Sequence, residues 1–242
     1  MADLRNYQSR AQTGEVIDQG LRAYMLKVYN LMALGLAITG LAAYFSFTFA
    51  VQGNELTQFG VMLYQSPLRW VVILAPLGAV FYLSFRISRM SVAAAQATFW
   101  IYAALVGLSL SSIFLIYTQS SITQTFFVTA ASFGALSLYG YTTKRDLSAM
   151  GSFLIMGLFG LIIASLVNIF LASSALQFAV SVIGVLIFAG LTAYDTQRIK
   201  EMYYEADGYD VAGRKAIMGA LTLYLDFINL FMFLLQFMGN RK

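Results

Sequence analysis

From Met90 to Thr143 the chain runs for 54 residues without one charged side chain, and from Leu147 to Tyr194 for another 48. Only 11% of the 242 residues are charged, against roughly a quarter in soluble domains. Such runs exclude a water-soluble globule. Each is also too long for one membrane crossing, because a helix rising about 1.5 Å per residue traverses the roughly 30 Å hydrocarbon layer in about 20 residues. Each run therefore holds two helices and a turn. The polar stretches Thr118-Gln119-Ser120-Ser121 and Ala172-Ser173-Ser174-Ala175 place those turns.

Three further spans complete the count. Val28 to Val51 is uncharged, and Trp70 to Phe85 is a shorter uncharged run framed by Arg69 and Arg86, whose stems can snorkel to the interfaces. Pro76 is expected to kink that second helix. The last span carries a single charge, Asp226. The expected spans are 28–51, 68–88, 92–117, 123–143, 148–171, 177–199 and 216–238. They make residues 28–242 an all-α bundle of seven transmembrane helices behind a polar tail, residues 1–27. The tail carries seven charges and no apolar core, so it is not a cleavable signal peptide. Residues 200–215 read as a polar loop turning at Gly208. Small residues at four-residue spacing, Ala130 with Gly134 and Ala131 with Ala135, are candidates for close helix approach.

Bases gather on the cytoplasmic side of membrane proteins. Twelve of the 15 Lys and Arg fall on the side that holds the N-terminus, and only Arg69, Arg241 and Lys242 on the other. The expectation is N-terminus cytoplasmic, C-terminus outside. The net charge of +4 is then a product of topology, and no nucleic-acid partner is implied. The chain has neither cysteine nor histidine, which removes disulfides, thiolate chemistry and the usual metal ligand and proton carrier near neutral pH. No cofactor is expected. Proton chemistry falls to carboxylates.

An acid inside a span is costly and hence a functional candidate. Two meet this description, Asp195 and Asp226. Gly219, Thr222, Asn229 and Gln236 share a helical stripe with Asp226, so it faces protein or water instead of lipid. One reading makes it a neutral acid bonded to Thr222 or Asn229 as interhelical glue. For Asp195, the plain reading is a local ion pair with Arg198, three residues on. A sharper reading follows from topology: the sixth and seventh helices are antiparallel neighbours, so the two acids can meet. Two carboxylates in a low-dielectric site cannot both ionise cheaply, and a proton shared between them makes a pH sensor without histidine. An arginine would compete with that proton, and Arg86 and Arg89 end the second helix on the same side.

These residues resemble the Bax inhibitor-1 family of multi-pass membrane proteins, in its bacterial branch. The resemblance rests on Gly190-Leu-Thr-Ala-Tyr-Asp-Thr-Gln197, Leu223-Tyr-Leu-Asp-Phe-Ile-Asn-Leu-Phe231, Tyr139-Gly-Tyr-Thr-Thr-Lys-Arg-Asp146 and Leu108-Ser-Leu-Ser-Ser-Ile-Phe114. It implies a bundle with its last helix at the centre, a pH-dependent calcium leak, and Asp195 and Asp226 as proton sensor and weak, transient calcium ligands. Tyr194, Gln197, Arg198, Thr222 and Asn229 would neighbour the pair, and Arg86 or Arg89 would supply a latch. The expected setting is a bacterial inner membrane, with lipid, protons and calcium as partners. An enzyme is not expected: intramembrane aspartyl proteases carry a glycine-rich motif before the second acid, absent from Tyr224-Leu-Asp-Phe227. The competing reading is a non-transporting modulator of other membrane proteins, such as a quality-control protease, engaged through the polar tail.

Overall fold

The computed structural model describes the backbone of residues 2–53 and 55–242, with side chains from residue 19 onward apart from residue 54. In chain order it comprises α1 (Ala2–Ala50), β1 (Val51–Gln52), β2 (Glu55–Leu56), α2 (Gln58–Tyr64), α3 (Leu68–Arg86), a 3₁₀ turn (Ile87–Arg89), α4 (Val92–Leu110), α5 (Ile113–Ile116), α6 (Gln119–Thr142), α7 (Ser148–Leu171), α8 (Ser174–Glu201) and α9 (Tyr209–Met238). Among the described residues seven helical stretches are long and apolar enough to cross a membrane: Gln19–Ala50, Leu68–Arg89, Val92–Ile116, Gln119–Thr142, Ser148–Leu171, Ser174–Glu201 and Tyr209–Met238. The helical class and the seven spans thus match the charge pattern. Among the described residues the only sheet is a small hairpin, Val51–Gln52 against Glu55–Leu56, in the connection after α1.

Helix ends follow capping chemistry. Ser91, Thr118 and Ser173 each accept a backbone N–H three residues on, from Ala94, Ser121 and Leu176, satisfying donors that a helix N-terminus leaves free. Residues expected as turns at 118–121 are therefore mostly the first turn of α6. After α7 the chain reverses through Ala172, whose φ of 47° is left-handed. The Asn168 side chain supports that reversal by accepting the Ser173 N–H at 3.0 Å.

Two boundaries differ from expectation. The polar connection read as 200–215 narrows to residues 202–208, because α8 continues to Glu201 and α9 starts at Tyr209. Likewise α1 continues back through the stretch read as a tail, and Tyr24 and Met25 are buried in the core. The tail's Asp3, Arg5, Arg10, Glu15 and Asp18 lie outside the described side chains. Helicity needs no apolar residues once a helix leaves the lipid, so charge marks where a span ends but not where the helix does.

α9 is the centre. Its apolar window is 56% buried, against 6% for α3, and it packs on α8, α1, α6 and α4. Since lipid is as apolar as leucine, such a helix is held by close packing and buried hydrogen bonds. Tyr224 supplies both. Its ring meets Phe99 and Tyr102 edge-on, and its hydroxyl is 2.6 Å from Thr39 Oγ1. Thr39 in turn donates to the Ala103 carbonyl at 2.8 Å, so Tyr224 is the donor to Thr39 and one chain ties α9, α1 and α4. A second chain runs from Tyr29 to Ser137 to Thr196 at 2.6 and 2.9 Å and ends on the Thr192 carbonyl, joining α1, α6 and α8.

The closest approach of α6 to α8 is at Gly140. A Cβ there would lie 2.9 Å from the Ala193 carbonyl carbon and 3.0 Å from its Cα. Gly134, singled out by its four-residue spacing from Ala130, has nothing within 4 Å of such a Cβ. The small residue that the packing requires is therefore one and a half turns further along.

Candidate functional site

Tyr139–Asp146 packs on the C-terminal part of α8, and Asp195 of that part shares a cavity with Asp226 in the middle of α9. Gly140 lies on the Ala193 backbone, and Tyr194 packs its ring on Gly151 of α7. Gln197, buried, accepts the Leu147 N–H at 2.9 Å and donates to the Arg145 carbonyl at 2.8 Å. Lys200 donates to the Tyr141 carbonyl at 2.8 Å. These contacts fix the rotation of α8 and with it the direction in which Asp195 points.

Asp195 points at Asp226. The two carboxyl groups interact directly and line one cavity, and since two like charges there would repel, a single shared proton is favoured over double ionisation. Asp226 is only 4% exposed, and Asp195 is half-buried. Both line a cavity of about 600 Å³ between α7, α8 and α9, together with Arg198, Thr222 and Asn229. Thr222 gives its proton, and Asn229 one of its two amide protons, to the Met218 and Leu225 carbonyls. Both residues lie on the same helix as Asp226, so neither ties it to another helix. Asp226 Oδ2 finds no donor among the surrounding N–H and O–H groups.

The cation beside the pair is Arg198. It is exposed and acts on Asp195 through space; among the described residues the one ion pair is Lys215–Asp207 at 2.5 Å. The local Asp195–Arg198 ion pair is thus not formed. Arg86 and Arg89 are exposed on a segment that packs chiefly on α4, and the structure does not bring them to the acids. The reason is one of neighbours: α3 sits outside α4, while α8 lies beside α6, α7 and α9. Tyr194 and Gln197 flank Asp195 in sequence but serve packing and the α6–α7 connection instead of lining the cavity. Sequence reasoning missed Ser165, which faces the cavity from α7. A lone serine in an apolar helix carries no signal, and its hydroxyl is spent on the Leu161 carbonyl.

Among the described residues no three acids come together as a metal site. Two carboxylates and a few carbonyls suit weak, exchangeable binding of a hard cation more than a resident ion.

Fold and site together define an integral membrane protein of seven helices, built round a central helix whose buried acid is paired with an acid of its neighbour. The chain belongs to the Bax inhibitor-1 family: residues 21–242 match the family described as "Inhibitor of apoptosis-promoting Bax1". It is 49% identical over 242 residues to the uncharacterized protein RP147 of Rickettsia prowazekii, covering all of both chains. It is 49% identical over 235 residues to an uncharacterized protein of Caulobacter vibrioides, covering 93% of this chain and 92% of that one. Inner membrane protein YbhL of Escherichia coli strain K12 is 48% identical over 225 residues, covering 92% and 94%.

Proposed function

We propose that the protein is a pH-sensitive calcium leak of a bacterial inner membrane, with its N-terminus in the cytoplasm and the Asp195–Asp226 pair as proton sensor. The carrying observation is that the two acids, 31 residues apart in sequence, face each other in one cavity between membrane helices. The location of YbhL, as its name gives it, supports the inner membrane, and the basic residues on the N-terminal side support the orientation. Family membership supports a non-enzymatic role.

The electrostatics give the gate its direction. With the shared proton lost, two negative charges occupy the cavity end and draw in a cation; Arg198 is already there, while Arg86 or Arg89 would serve as latch only after α3 moved toward α8 and α9. That link closes the inner mouth. Protonation weakens it and shifts the equilibrium toward the open form. Calcium flux into liposomes, followed at several pH values for the wild type, Asp195→Asn and Asp226→Asn, tests this. Flux should become pH-insensitive in both variants; an unaltered pH profile in both removes the pair as sensor. A partner-modulating role is separated by deleting residues 1–18, which leaves flux intact if that segment serves a partner.

A further inference from the structure

The bundle is not closed between α7 and α9. α7 packs chiefly on α8, and the space it leaves against α9 is the cavity of about 600 Å³ that ends on Asp195 and Asp226. Its α7 wall is also outer surface: Ile162, Leu166 and Ile169, all lining the cavity, are 48%, 54% and 73% exposed. The opening is therefore sideways, through an apolar rim, in the part of the molecule that faces acyl chains. An aqueous ion gains nothing from such a rim. A molecule with an apolar body does.

At the inner end the chemistry has the opposite character. Asp226 is almost fully buried and its Oδ2 lacks any donor; the Thr222 hydroxyl and one Asn229 N–H are given to carbonyls of their own helix. The charged and titratable groups facing this point are Asp195 and Arg198 from α8 and Asp226 from α9. α7 brings none, since residues 148–171 contain no charge. Arg198 stands exposed at the edge without an ion contact. What is missing is a compact donor bearing positive charge that can arrive from the lipid side.

We propose that this cleft binds a lipid-soluble monocation, a single alkyl chain lying against α7 with a primary ammonium head seated on the Asp195–Asp226 pair. Three N–H donors suit two neighbouring carboxyl groups, one of them with a buried oxygen that lacks a donor, and the positive head offsets negative charge on the pair. A neutral alcohol would offer a single O–H donor and no charge to offset the pair. An anionic one would set its head against two acids. The inference needs the pair and the opening but does not need the protein to conduct calcium.

The test uses the full chain in phosphatidylcholine nanodiscs with radiolabelled dodecylamine as probe. Binding should saturate and be displaced by unlabelled dodecylamine, but not by dodecanol or dodecanoate at the same concentration. Affinity should fall at least tenfold in Asp226→Asn. It should fall as far in Leu166→Trp, which fills the cleft from its exposed wall, touches neither acid, and decides the matter alone if Asp226→Asn does not fold. Displacement by dodecanol or dodecanoate as strong as by the amine, or wild-type affinity in Leu166→Trp, overturns the proposal. Calcium flux on the same preparations keeps the two readings apart: amine binding without flux removes the leak and keeps this site, and flux without amine binding does the reverse.

Discussion

Replacing Gly140 by alanine puts one methyl group between α6 and the backbone of α8. The new carbon would sit 2.9 Å from the Ala193 carbonyl carbon and 3.0 Å from its Cα, where unstrained carbon contacts fall at about 3.5–4.0 Å. The obstacle is helix backbone, which cannot turn aside as a flexible side chain would, so the two helices must part by about 0.5–1 Å. Inserting a methyl into a close-packed contact costs about 1–3 kcal/mol, of which alanine's better helix propensity returns less than about 1 kcal/mol. In a chain of this size, each kcal/mol corresponds to roughly 2–4 °C in Tm. Gly140→Ala should therefore unfold several degrees below the wild type in micelles, followed by circular dichroism. Gly134→Ala, on the same helix with open space at its Cβ, should unfold at or slightly above it. Equal midpoints for the two variants would refute the idea that α6 and α8 touch through Gly140.

Thr39→Val removes both the donor to the Ala103 carbonyl and the acceptor of the buried Tyr224 hydroxyl, and should cost about 1–3 kcal/mol. Tyr224→Phe, which leaves Thr39 bonded to Ala103, should cost less, and denaturation of the double variant should show the two losses to be non-additive. Gln197→Ala frees the Leu147 N–H and the Arg145 carbonyl; limited trypsin digestion should show faster cleavage after Lys144 and Arg145, and unchanged digestion would count against the tether. Asp146, in the same connection, is held below the usual carboxylate range by the Ser148 hydroxyl first and by the Ser148 N–H, which it accepts at 2.8 Å, second. A depressed carboxyl stabilises the folded form at pH values above the unfolded value and loses that contribution as pH falls through the folded one. Asp146→Ala should accordingly speed hydrogen exchange in the first turn of α7 near neutrality, and the difference from wild type should vanish in acid.

The spans were legible because a bilayer tolerates so few charges that each one reports a boundary or a site. Asp195 and Asp226 stood out for the same reason, and alternating helix direction was enough to suggest their meeting. What the pattern does not carry is which helices are neighbours. Arg86 and Arg89 lie at the expected end of their helix, yet α3 packs outside α4, away from the acids. Gln197 looked like part of the site because it follows Asp195 by two residues, whereas its partners, Leu147 and Arg145, are backbone groups of a distant turn and leave no trace in residue type. Hydropathy reports immersion in lipid and not helicity, so the charged stretches 19–27 and 209–215 resemble tail and loop although both are helical.

That α9 holds the middle of the bundle has a bearing on biogenesis. The segment around which the others are arranged leaves the ribosome after them, so six hydrophobic helices must enter the bilayer and wait, their inward faces covered by lipid or by one another. Tyr224 and Asp226 then enter together on a single late insertion, and polar partners such as Thr39 and Asp195 stay unmatched until it is complete. Slow or failed insertion of this one helix would leave α1, α4, α6 and α8 without the surface they pack on, exposed to the membrane's surveillance proteases.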